Sequence, residues 1–422
     1  MDESEPRPLT APRDGVPDVV TTPEALAEAA ELLAGGSGPV AVDAERASGY
    51  RYGQRAFLVQ LRRAGVGTLL VDPVPLPDLS VLAAALGTAE WVLHAASQDL
   101  GCLAEVSLRP GGDLFDTELA ARLAGLPRVG LAAVVEQLLG LQLAKEHSAV
   151  DWSTRPLPEP WLRYAALDVE VLLEVRDALD AELTAQGKRE WAAQEFGAVA
   201  RAAPATPRVD PWRRTSGLHQ LRRRRQLAAV RELWTMREEM AQRRDLAPGR
   251  VLPDRAIVAA ATEMPTTAAQ LAALPVFSGP ANRRLADRWL AALRRAAALP
   301  EEQLPPLALP GEGPPPARAW REREPAAAAR LAAARDLVGA LSAELGVPVE
   351  NLLLPDALRR LCWRPPDVLD AAGVRAALAG AGARPWQLDL LAAPLADALA
   401  RPPETAPVAP PEADASPPTP EG

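Results

Sequence analysis

The sequence predicts an α/β domain with a mixed central sheet flanked by helices, followed by small all-α domains. Short apolar runs typical of strands come first, and helical repeats then interleave with them before taking over the chain. Proline-rich segments separate the later helical stretches, so several domains are expected. The strand-like runs are PVAVDAE (39–45), AFLVQLRR (56–63), GTLLVDP (67–73) and EWVLHA (90–95).

The first 200 residues supply the sheet and the helices that cover it. An amphipathic helix, TPEALAEAAELLAG, has Thr22 as its expected N-cap and ends at Gly35. The three strands that follow it are predicted to form a meander. A single long helix is expected around Tyr164, running to about Gln186, and 194–208 is predicted to be a linker. The other predicted helices are VLAAALG, SQDLGCLAEV, DTELAARLAG and GLAAVVEQLLG.

The second half of the chain predicts two helical units of similar length and rhythm, a weak internal repeat. In the first unit, a long helix over 218–246 is followed by the helices PDRAIVAAA, TTAAQLAAL and ANRRLADRWLAALRRAAA. The expected organisation is a disordered tail (1–15), the α/β domain (16–200), a linker (201–214), the first helical domain (215–298), a proline-rich linker (299–324), the second helical domain (325–401) and a disordered tail (402–422).

Charge is distributed unevenly over the 422 residues, whose formal net charge is −9. Residues 1–200 carry 16 basic and 30 acidic side chains, whereas residues 208–250 carry 12 arginines and 5 acids. An acidic half that could hold metal is thus joined to a basic segment that could hold phosphate.

Other composition signals exclude several classes of protein. The cysteines, Cys102 and Cys362, lie far apart and the three histidines are scattered, so neither a disulfide framework nor a zinc site is indicated. The N-terminal segment has no signal-peptide pattern, and no apolar run reaches about 18 residues. We expect a soluble cytoplasmic protein without a membrane segment.

Five side chains form the candidate catalytic set. Asp43 and Glu45 stand two apart at a strand end and so share a face. Asp99 follows the strand EWVLHA near a helix start. Tyr164 and Asp168 stand at i and i+4 on one helix face, about 6 Å apart. Each acid alone would equally fit a solvated position, but four carboxylates without histidine or cysteine suit Mg²⁺ or Mn²⁺.

The ordered motifs around these residues resemble those of ribonuclease D, a family of the DEDDy 3′-5′ exonucleases. They are DAE with the strand AFLVQL, then HAASQDL, LFDTELAARLAG, KEHSAVDWSTRPL and YAALDVEVLL. The resemblance covers roughly residues 15–200 and implies a ribonuclease H-like exonuclease fold. It also implies that Asp43, Glu45, Asp99 and Asp168 hold two divalent ions, and that Tyr164 orients the attacking water. Such a pair of ions can activate water and stabilise the leaving oxygen.

The helical domain over 215–298 resembles an HRDC domain, an auxiliary nucleic-acid-binding module, and residues 325–401 resemble a second, divergent copy. The run Arg222, Arg223, Arg224, Arg225 is either a solvated basic face or a phosphate contact.

One position departs from the family pattern. The residue after the motif glutamate is usually aromatic or large and apolar, but here it is Arg46. Base contact near the RNA 3′ end is therefore expected from Arg46, through its guanidinium plane, or from Tyr50 and Tyr52.

Lysine is rare in this chain, which has 44 arginines and only Lys145 and Lys188. Lys145 lies in a motif just before the Tyr164 helix and is predicted to contact an RNA phosphate, with a solvated surface lysine as the alternative. Lys188 is expected to tolerate replacement.

The predicted function is metal-dependent 3′-5′ exonucleolytic cleavage of RNA, releasing nucleoside 5′-monophosphates. The expected substrates are structured RNAs such as tRNA precursors, in tRNA 3′ maturation or RNA turnover, and no obligate protein partner is evident. Two alternatives stay open at this point: a DNA-directed exonuclease of the same fold, and a non-catalytic RNA-binding protein. The complete acid set argues against the second alternative.

Overall fold

A computed structural model describes residues 6–144, 149–203, 206, 208–309 and 313–401. The chain forms two compact units, which divide after residue 310. The strands are β1 (Arg7–Leu9), β2 (Val19–Val20), β3 (Ser37–Arg46), β4 (Ala56–Ala64), β5 (Gly67–Val71), β6 (Trp91–Leu93), β7 (Leu114–Asp116) and β8 (Leu141–Leu143).

The helices of the first unit alternate with these strands and then continue alone. They are α1 (Pro23–Gly35), α2 (Ser80–Leu86), α3 (Leu100–Glu105), α4 (Thr117–Leu123), α5 (Leu131–Leu139), α6 (Glu159–Glu170), α7 (Leu172–Ala185), α8 (Arg189–Ala200), α9 (Arg224–Arg244), α10 (Pro248–Val251), α11 (Asp254–Glu263), α12 (Ala268–Ala272), α13 (Pro280–Arg284) and α14 (Ala286–Ala298).

A mixed sheet in the order β2-β5-β4-β3-β6-β7 forms the centre of the α/β domain. Strands β3, β4 and β5 form an antiparallel meander, as predicted, while β6 and β7 continue from β3 in parallel. The predicted α/β class is therefore confirmed. The sequence pattern missed β2 and β7 because two or three residues are too few to show an alternating period.

Alternation along β3 separates the core from the candidate site. Val40, Val42 and Ala44 pack with α1 and α2 in the main core of the domain. The intervening residues point to the opposite face. That face is covered by α6, where Ala165 and Ala166 pack against Leu58 and Leu70 of β4 and β5. Asp43 and Glu45 are thus directed towards α6.

Two predictions about helices in this region are wrong. The single long helix around Tyr164 is interrupted at Val171, whose φ and ψ of −114° and 7° separate α6 from α7. The break lets α6 pack on β4 and β5 while α7 packs on β6, α4 and α5. The predicted linker from Gln194 overlaps α8, because Ala192 and Phe196 lie one turn apart and both are buried.

The helical part of the first unit begins later than predicted. Leu218–Gln220 forms a 3-10 turn, and the long helix starts at Arg224 instead of Leu218. The core of this helical domain contains Leu233, Phe277 and Trp289.

The second unit is helical in its described residues. Its helices are α15 (Trp320–Arg323), α16 (Pro325–Leu345), α17 (Val349–Leu352), α18 (Pro355–Trp363), α19 (Ala371–Gly380) and α20 (Pro385–Ala400). Helix α15 lies within the predicted proline-rich linker, because Trp320 is fully buried against Trp363 at a ring distance of 4.9 Å. None of the described helices in either unit has the length and apolar character needed to cross a bilayer.

Arg155 joins the segment before α6 to the sheet. Its Nε and Nη2 donate to the two carboxylate oxygens of Asp72 at 2.6 and 2.8 Å, and Nη2 also donates to the Phe57 carbonyl at 2.7 Å. Nη1 donates to the Trp152 carbonyl at 2.8 Å. Asp72 is 4% exposed. The described part of the KEHSAVDWSTRPL motif is thus a structural clamp for α6.

Arg155→Ala is expected to lower the free energy of unfolding by about 2–4 kcal/mol, because it leaves the Asp72 charge buried without its partner. Urea denaturation measures this loss. Arg163→Ala is the control, since Arg163 forms an exposed i,i+4 pair with Glu159 and should cost under about 0.5 kcal/mol. Equal losses for both variants would contradict the clamp.

Candidate active site

Strand β3 and helix α6 bring three acids together. Asp43 and Glu45 occupy the carboxyl end of β3, and Asp168 extends from the facing side of α6. Each offers an oxygen within 4.8 Å of the others. The predicted proximity of these carboxylates is therefore present in the folded chain.

Asp99 joins the group from a separate element. It stands at the N-terminal boundary of α3 and is 5% exposed. Its Oδ1 lies 3.6 Å from Nη2 of Arg46, the residue that follows Glu45 on β3. Arg46, expected at a nucleotide base, is thus ion-paired with a candidate metal ligand.

A residue without a predicted role holds the turn that carries Asp99. The Asp116 carboxylate is buried and accepts hydrogen bonds from the backbone N–H groups of Ala95 at 3.0 Å, Ala96 at 2.9 Å, Glu118 at 3.0 Å and Leu119 at 3.1 Å. It caps α4 and also fixes the turn after β6, where Ala95 adopts a positive φ of 59°. An Asp-Thr-Glu start to a helix is an N-cap signal that sequence reasoning could have used.

The carboxylates destabilise one another's charged forms. Burial, opposed by a backbone hydrogen bond and Arg46, raises the pKa of Asp43 to about 6. Burial and the neighbouring acids raise the pKa of Glu45 to about 10 and that of Asp99 to about 8. Burial and Asp43 raise the pKa of Asp168 as well. A divalent cation would relieve this repulsion, so the oxygen donors present fit Mg²⁺ or Mn²⁺.

Tyr164 lies beside this cluster in its neutral form. Burial and the charge of Asp168 raise the pKa of the Tyr164 hydroxyl above its ordinary value. The hydroxyl is hydrogen-bonded to Asp168, which agrees with the shared helix face that the i,i+4 spacing predicts. A protonated phenol can donate to Asp168 and accept from a water, but it cannot serve as a strong base.

His94 and Cys102 lie nearby and are not ligands of the cluster. Burial lowers the pKa of His94 to about 4, and its Nδ1 lies 2.9 Å from Thr117 Oγ1. Burial raises the pKa of the Cys102 thiol to about 12, and Sγ donates to the Asp99 carbonyl at 3.1 Å. Both side chains stabilise the turn that carries Asp99.

The loop after β3 contacts the first helical domain. The guanidinium of Arg250 lies 4.1 Å from the centre of the Tyr50 ring, and its Nε donates to the Gly49 carbonyl at 2.7 Å. The backbone N–H of Tyr52 donates to Asp245 Oδ1 at 3.3 Å. Both tyrosines thus hold this domain against the catalytic one, and their contact with RNA bases stays a prediction.

The arginine run divides into two pairs. Arg224 donates to the carbonyls of Glu301 and Pro305 at 3.0 and 3.3 Å. Arg225 donates to the carbonyls of Ala297 and Leu299, both at 2.8 Å. Arg222 and Arg223 are exposed and remain the better candidates for phosphate contact.

The structure describes only one of the two lysines. Lys145 lies outside the described residues, so its phosphate contact stays a prediction. Lys188 is 5% exposed and its Nζ donates to the Leu123 carbonyl at 2.9 Å. The expectation that replacement of Lys188 leaves RNA degradation unchanged stays a prediction, but the ammonium satisfies a carbonyl at the end of α4, so its replacement should lower stability.

The fold and the acid cluster define a protein of the ribonuclease H-like 3′-5′ exonuclease class. Comparison with protein families supports this: residues 17–184 match the family described as 3′-5′ exonuclease, residues 226–293 match the HRDC domain, and residues 313–399 match the 3′ to 5′ exonuclease C-terminal domain. The last match covers the predicted second HRDC-like domain, which stays a prediction.

Comparison with named proteins narrows the exonuclease class to one family. The chain is 32% identical to the ribonuclease D of Acidiphilium cryptum, over 89% of this chain and 97% of that protein. It is 33% identical to the Escherichia coli ribonuclease D, over 68% of this chain and 76% of that protein. A Shewanella ribonuclease D is 36% identical over 48% of this chain and 53% of its own length.

Solved structures agree with these relatives. A protein from Bifidobacterium adolescentis has a TM-score of 0.86 and 39% identity, over 94% of this chain and all of that one. The Escherichia coli RNase D is described as an exoribonuclease involved in structured RNA processing. It has a TM-score of 0.65 and 29% identity, over 89% of this chain and 98% of that one. The chain belongs to the ribonuclease D family and is a 3′-5′ exoribonuclease.

The raised pKa values predict how stability depends on pH. The unfolded chain loses these protons near pH 3.8 for Asp43 and Asp99 and 4.5 for Glu45, but the folded chain loses them near pH 6, 8 and 10. The folded state thus binds more protons throughout this window, so the unfolding free energy of the metal-free protein should fall as pH rises from 6 to 9.

Thermal unfolding in EDTA measures this slope, which should be about 1.4 kcal/mol per pH unit for each proton that the folded state retains. Added Mn²⁺ should stabilise the protein more at pH 9 than at pH 6, because the ion competes with protons for the same oxygens. Glu45→Gln should flatten the slope. A metal-free protein that gains stability towards pH 9 would contradict the charge repulsion.

Proposed function

We propose that this protein is a metal-dependent exoribonuclease that removes nucleoside 5′-monophosphates from RNA 3′ ends, with tRNA precursors as its main substrates. The observation that carries the proposal is the convergence of Asp43, Glu45 and Asp168 within 4.8 Å. Asp99 and Tyr164 beside them complete the set of side chains that this reaction uses.

Asp43, Glu45, Asp99 and Asp168 would hold two divalent cations, Mg²⁺ or Mn²⁺. Such ions, when bound, lower the pKa of a water and neutralise charge on the leaving oxygen. The carboxylates contribute their negative charge and fixed directions, because each comes from a rigid strand end or helix.

Tyr164 orients the attacking water in this proposal. Its hydroxyl is anchored to Asp168, which leaves an oxygen lone pair to accept a hydrogen bond from water. Holding the water at one angle reduces the entropy lost on reaching the transition state. Because the phenol stays protonated, the proton leaves the water through another acceptor.

An RNA substrate is supported by the names of the relatives, which are ribonucleases, and by the helical domain with Arg222 and Arg223 on its surface. Digestion of 5′-labelled RNA and matched DNA oligonucleotides with Mn²⁺ tests the proposal. Stepwise shortening of RNA, with 5′-monophosphates as products, is expected. Faster cleavage of DNA would favour a DNA-directed exonuclease instead.

Asp43→Asn and Asp168→Asn should each abolish RNA degradation while leaving the thermal unfolding midpoint of the metal-free protein equal or higher. Each change removes one of several charges that repel one another. The metal-free fold therefore becomes more stable, and the metal site loses affinity. Mn²⁺-dependent cleavage and melting curves test both effects. Near-parental turnover in either variant would refute the metal assignment.

Tyr164→Phe should lower the saturated cleavage rate by roughly 10²–10⁴-fold and leave RNA affinity within a few-fold. The reason is that the hydroxyl acts on the water and not on the substrate. Single-turnover rates and filter binding of a non-cleavable RNA separate the two quantities. A variant that binds weakly but cleaves at the parental saturated rate would make Tyr164 a substrate contact.

Replacing Arg222 and Arg223 together by alanine should weaken binding of structured RNA. It should also reduce the slope of log affinity against log salt by about 1–2, because fewer counterions are released from the RNA when fewer phosphates are contacted. Affinity measured from 50 to 300 mM salt gives the slope. Arg225→Ala is the matched control: it should lower stability, since Arg225 holds the end of α14, without changing the slope. Equal slopes for parent and double variant would mean that this face is only solvated.

A further inference from the structure

Arg46 stands at a position where the chain departs from the family pattern, and it contacts a candidate metal ligand there. Its Nη2 lies 3.6 Å from Asp99 Oδ1, with 25% of the arginine side chain and 8% of the aspartate side chain exposed. Because both groups are largely removed from water, their attraction is only weakly screened. In the described residues, this ion pair involves Asp99 and not the Asp43, Glu45 and Asp168 cluster.

We propose that Arg46 is a tethered cation that holds Asp99 until a metal ion displaces it. This inference rests on the proposed function, since it concerns how the same carboxylates take up metal. An ion that bound Asp99 through Oδ1 would compete with the Arg46 guanidinium for that oxygen. An ion held only by Asp43, Glu45 and Asp168 would displace no ion pair of the described residues, although the charge of Arg46 also acts on Asp43 and Glu45.

Electrostatics makes the two kinds of ion unequal. A divalent ion bound to Asp99 would lie close to the Arg46 guanidinium, which keeps its charge at any relevant pH. Like charges in a poorly solvated site repel, so the Asp99-dependent ion binds more weakly in the free enzyme. The apolar or aromatic residue usual at this position in the family would exert no such repulsion.

Besides its contact with Asp99, the Arg46 guanidinium has a hydrogen-bond partner. Arg46 Nη1 lies 3.4 Å from Gln54 Oε1, which also accepts a hydrogen bond from Ser48 Oγ at 2.7 Å. Both contacts lie in the exposed loop after β3. A guanidinium on this side of the site can bind an RNA phosphate oxygen, which is a stronger acceptor than the Gln54 amide. RNA would thus draw Arg46 away from Asp99 and strengthen binding of the second ion.

A purely structural ion pair predicts the opposite result. If Arg46 only stabilised the turn that carries Asp99, its removal would loosen Asp99 and weaken every ion that Asp99 binds. In the present proposal, removal of Arg46 strengthens the weak ion. The direction of the change in metal affinity therefore decides between the two roles.

The experiment is a Mn²⁺ titration of full-length protein, with free ion measured by electron paramagnetic resonance. Without RNA, the parent should show one tight class of site and one at least tenfold weaker. Arg46→Leu should tighten the weak class about tenfold and the tight class by a smaller factor, while Arg46→Lys should keep the weak class weak. Arg163→Leu, on the exposed face of α6, is the control and should match the parent.

A second arm adds a short RNA with phosphorothioate linkages at its 3′ end. This RNA should tighten the weak class in the parent and have a several-fold smaller effect in Arg46→Leu. Asp99→Asn, which should abolish the weak class, identifies it. Arg46→Gln, which keeps a polar side chain of similar reach, replaces Arg46→Leu if that variant does not fold.

Two results would overturn the inference: a parent with two equally tight classes in the absence of RNA, or a weak class that Arg46→Leu leaves unchanged or weaker. Cleavage of labelled RNA by the parent, measured in parallel, tests the proposed function separately. If the parent degrades RNA and the weak class does not respond to Arg46, only the inference fails.

Discussion

The structure depends on one electrostatic constraint, which is that four carboxylates share a poorly hydrated space. Burial and mutual repulsion raise the pKa values of Asp43, Glu45, Asp99 and Asp168. Isolated acids would avoid such a place, because losing hydration is costly for a charged group. The cost is tolerated where a cation binds, so the same repulsion that weakens the apo fold supplies affinity for metal.

Rigid surroundings keep these acids together. Asp116 holds the turn before α3 with two backbone hydrogen bonds and caps α4 with two more, and Arg155 joins Asp72 and the strand β4 to the segment before α6. Tyr50 and Tyr164 both pack against the apolar cluster that includes Ala165 and Ala166, and Tyr50 also lies against Arg250. The helical domain therefore contacts the loop after β3, in addition to any contact with RNA.

Sequence patterns predicted the parts of this arrangement that depend on local periodicity. The two-residue spacing of Asp43 and Glu45 predicted their shared face of the strand, and the four-residue spacing of Tyr164 and Asp168 predicted their shared face of the helix. The same patterns failed where burial decides the outcome. Val171 interrupts a helix without proline or glycine, and Lys188 is buried although it lies in a polar stretch. Neither a helix break of this kind nor a buried ammonium leaves a periodic signal.

The sequence by itself determined the α/β class, the strand meander, the acid set and the family, because period, spacing and motif order are local properties of the chain. Only the tertiary structure decided which charges are neighbours. It paired Arg46 with Asp99 and placed Arg224 and Arg225 on backbone carbonyls while leaving Arg222 and Arg223 exposed. The physical reason is that an arginine's partner is set by distance after folding, and four adjacent arginines have the same local pattern whatever they contact.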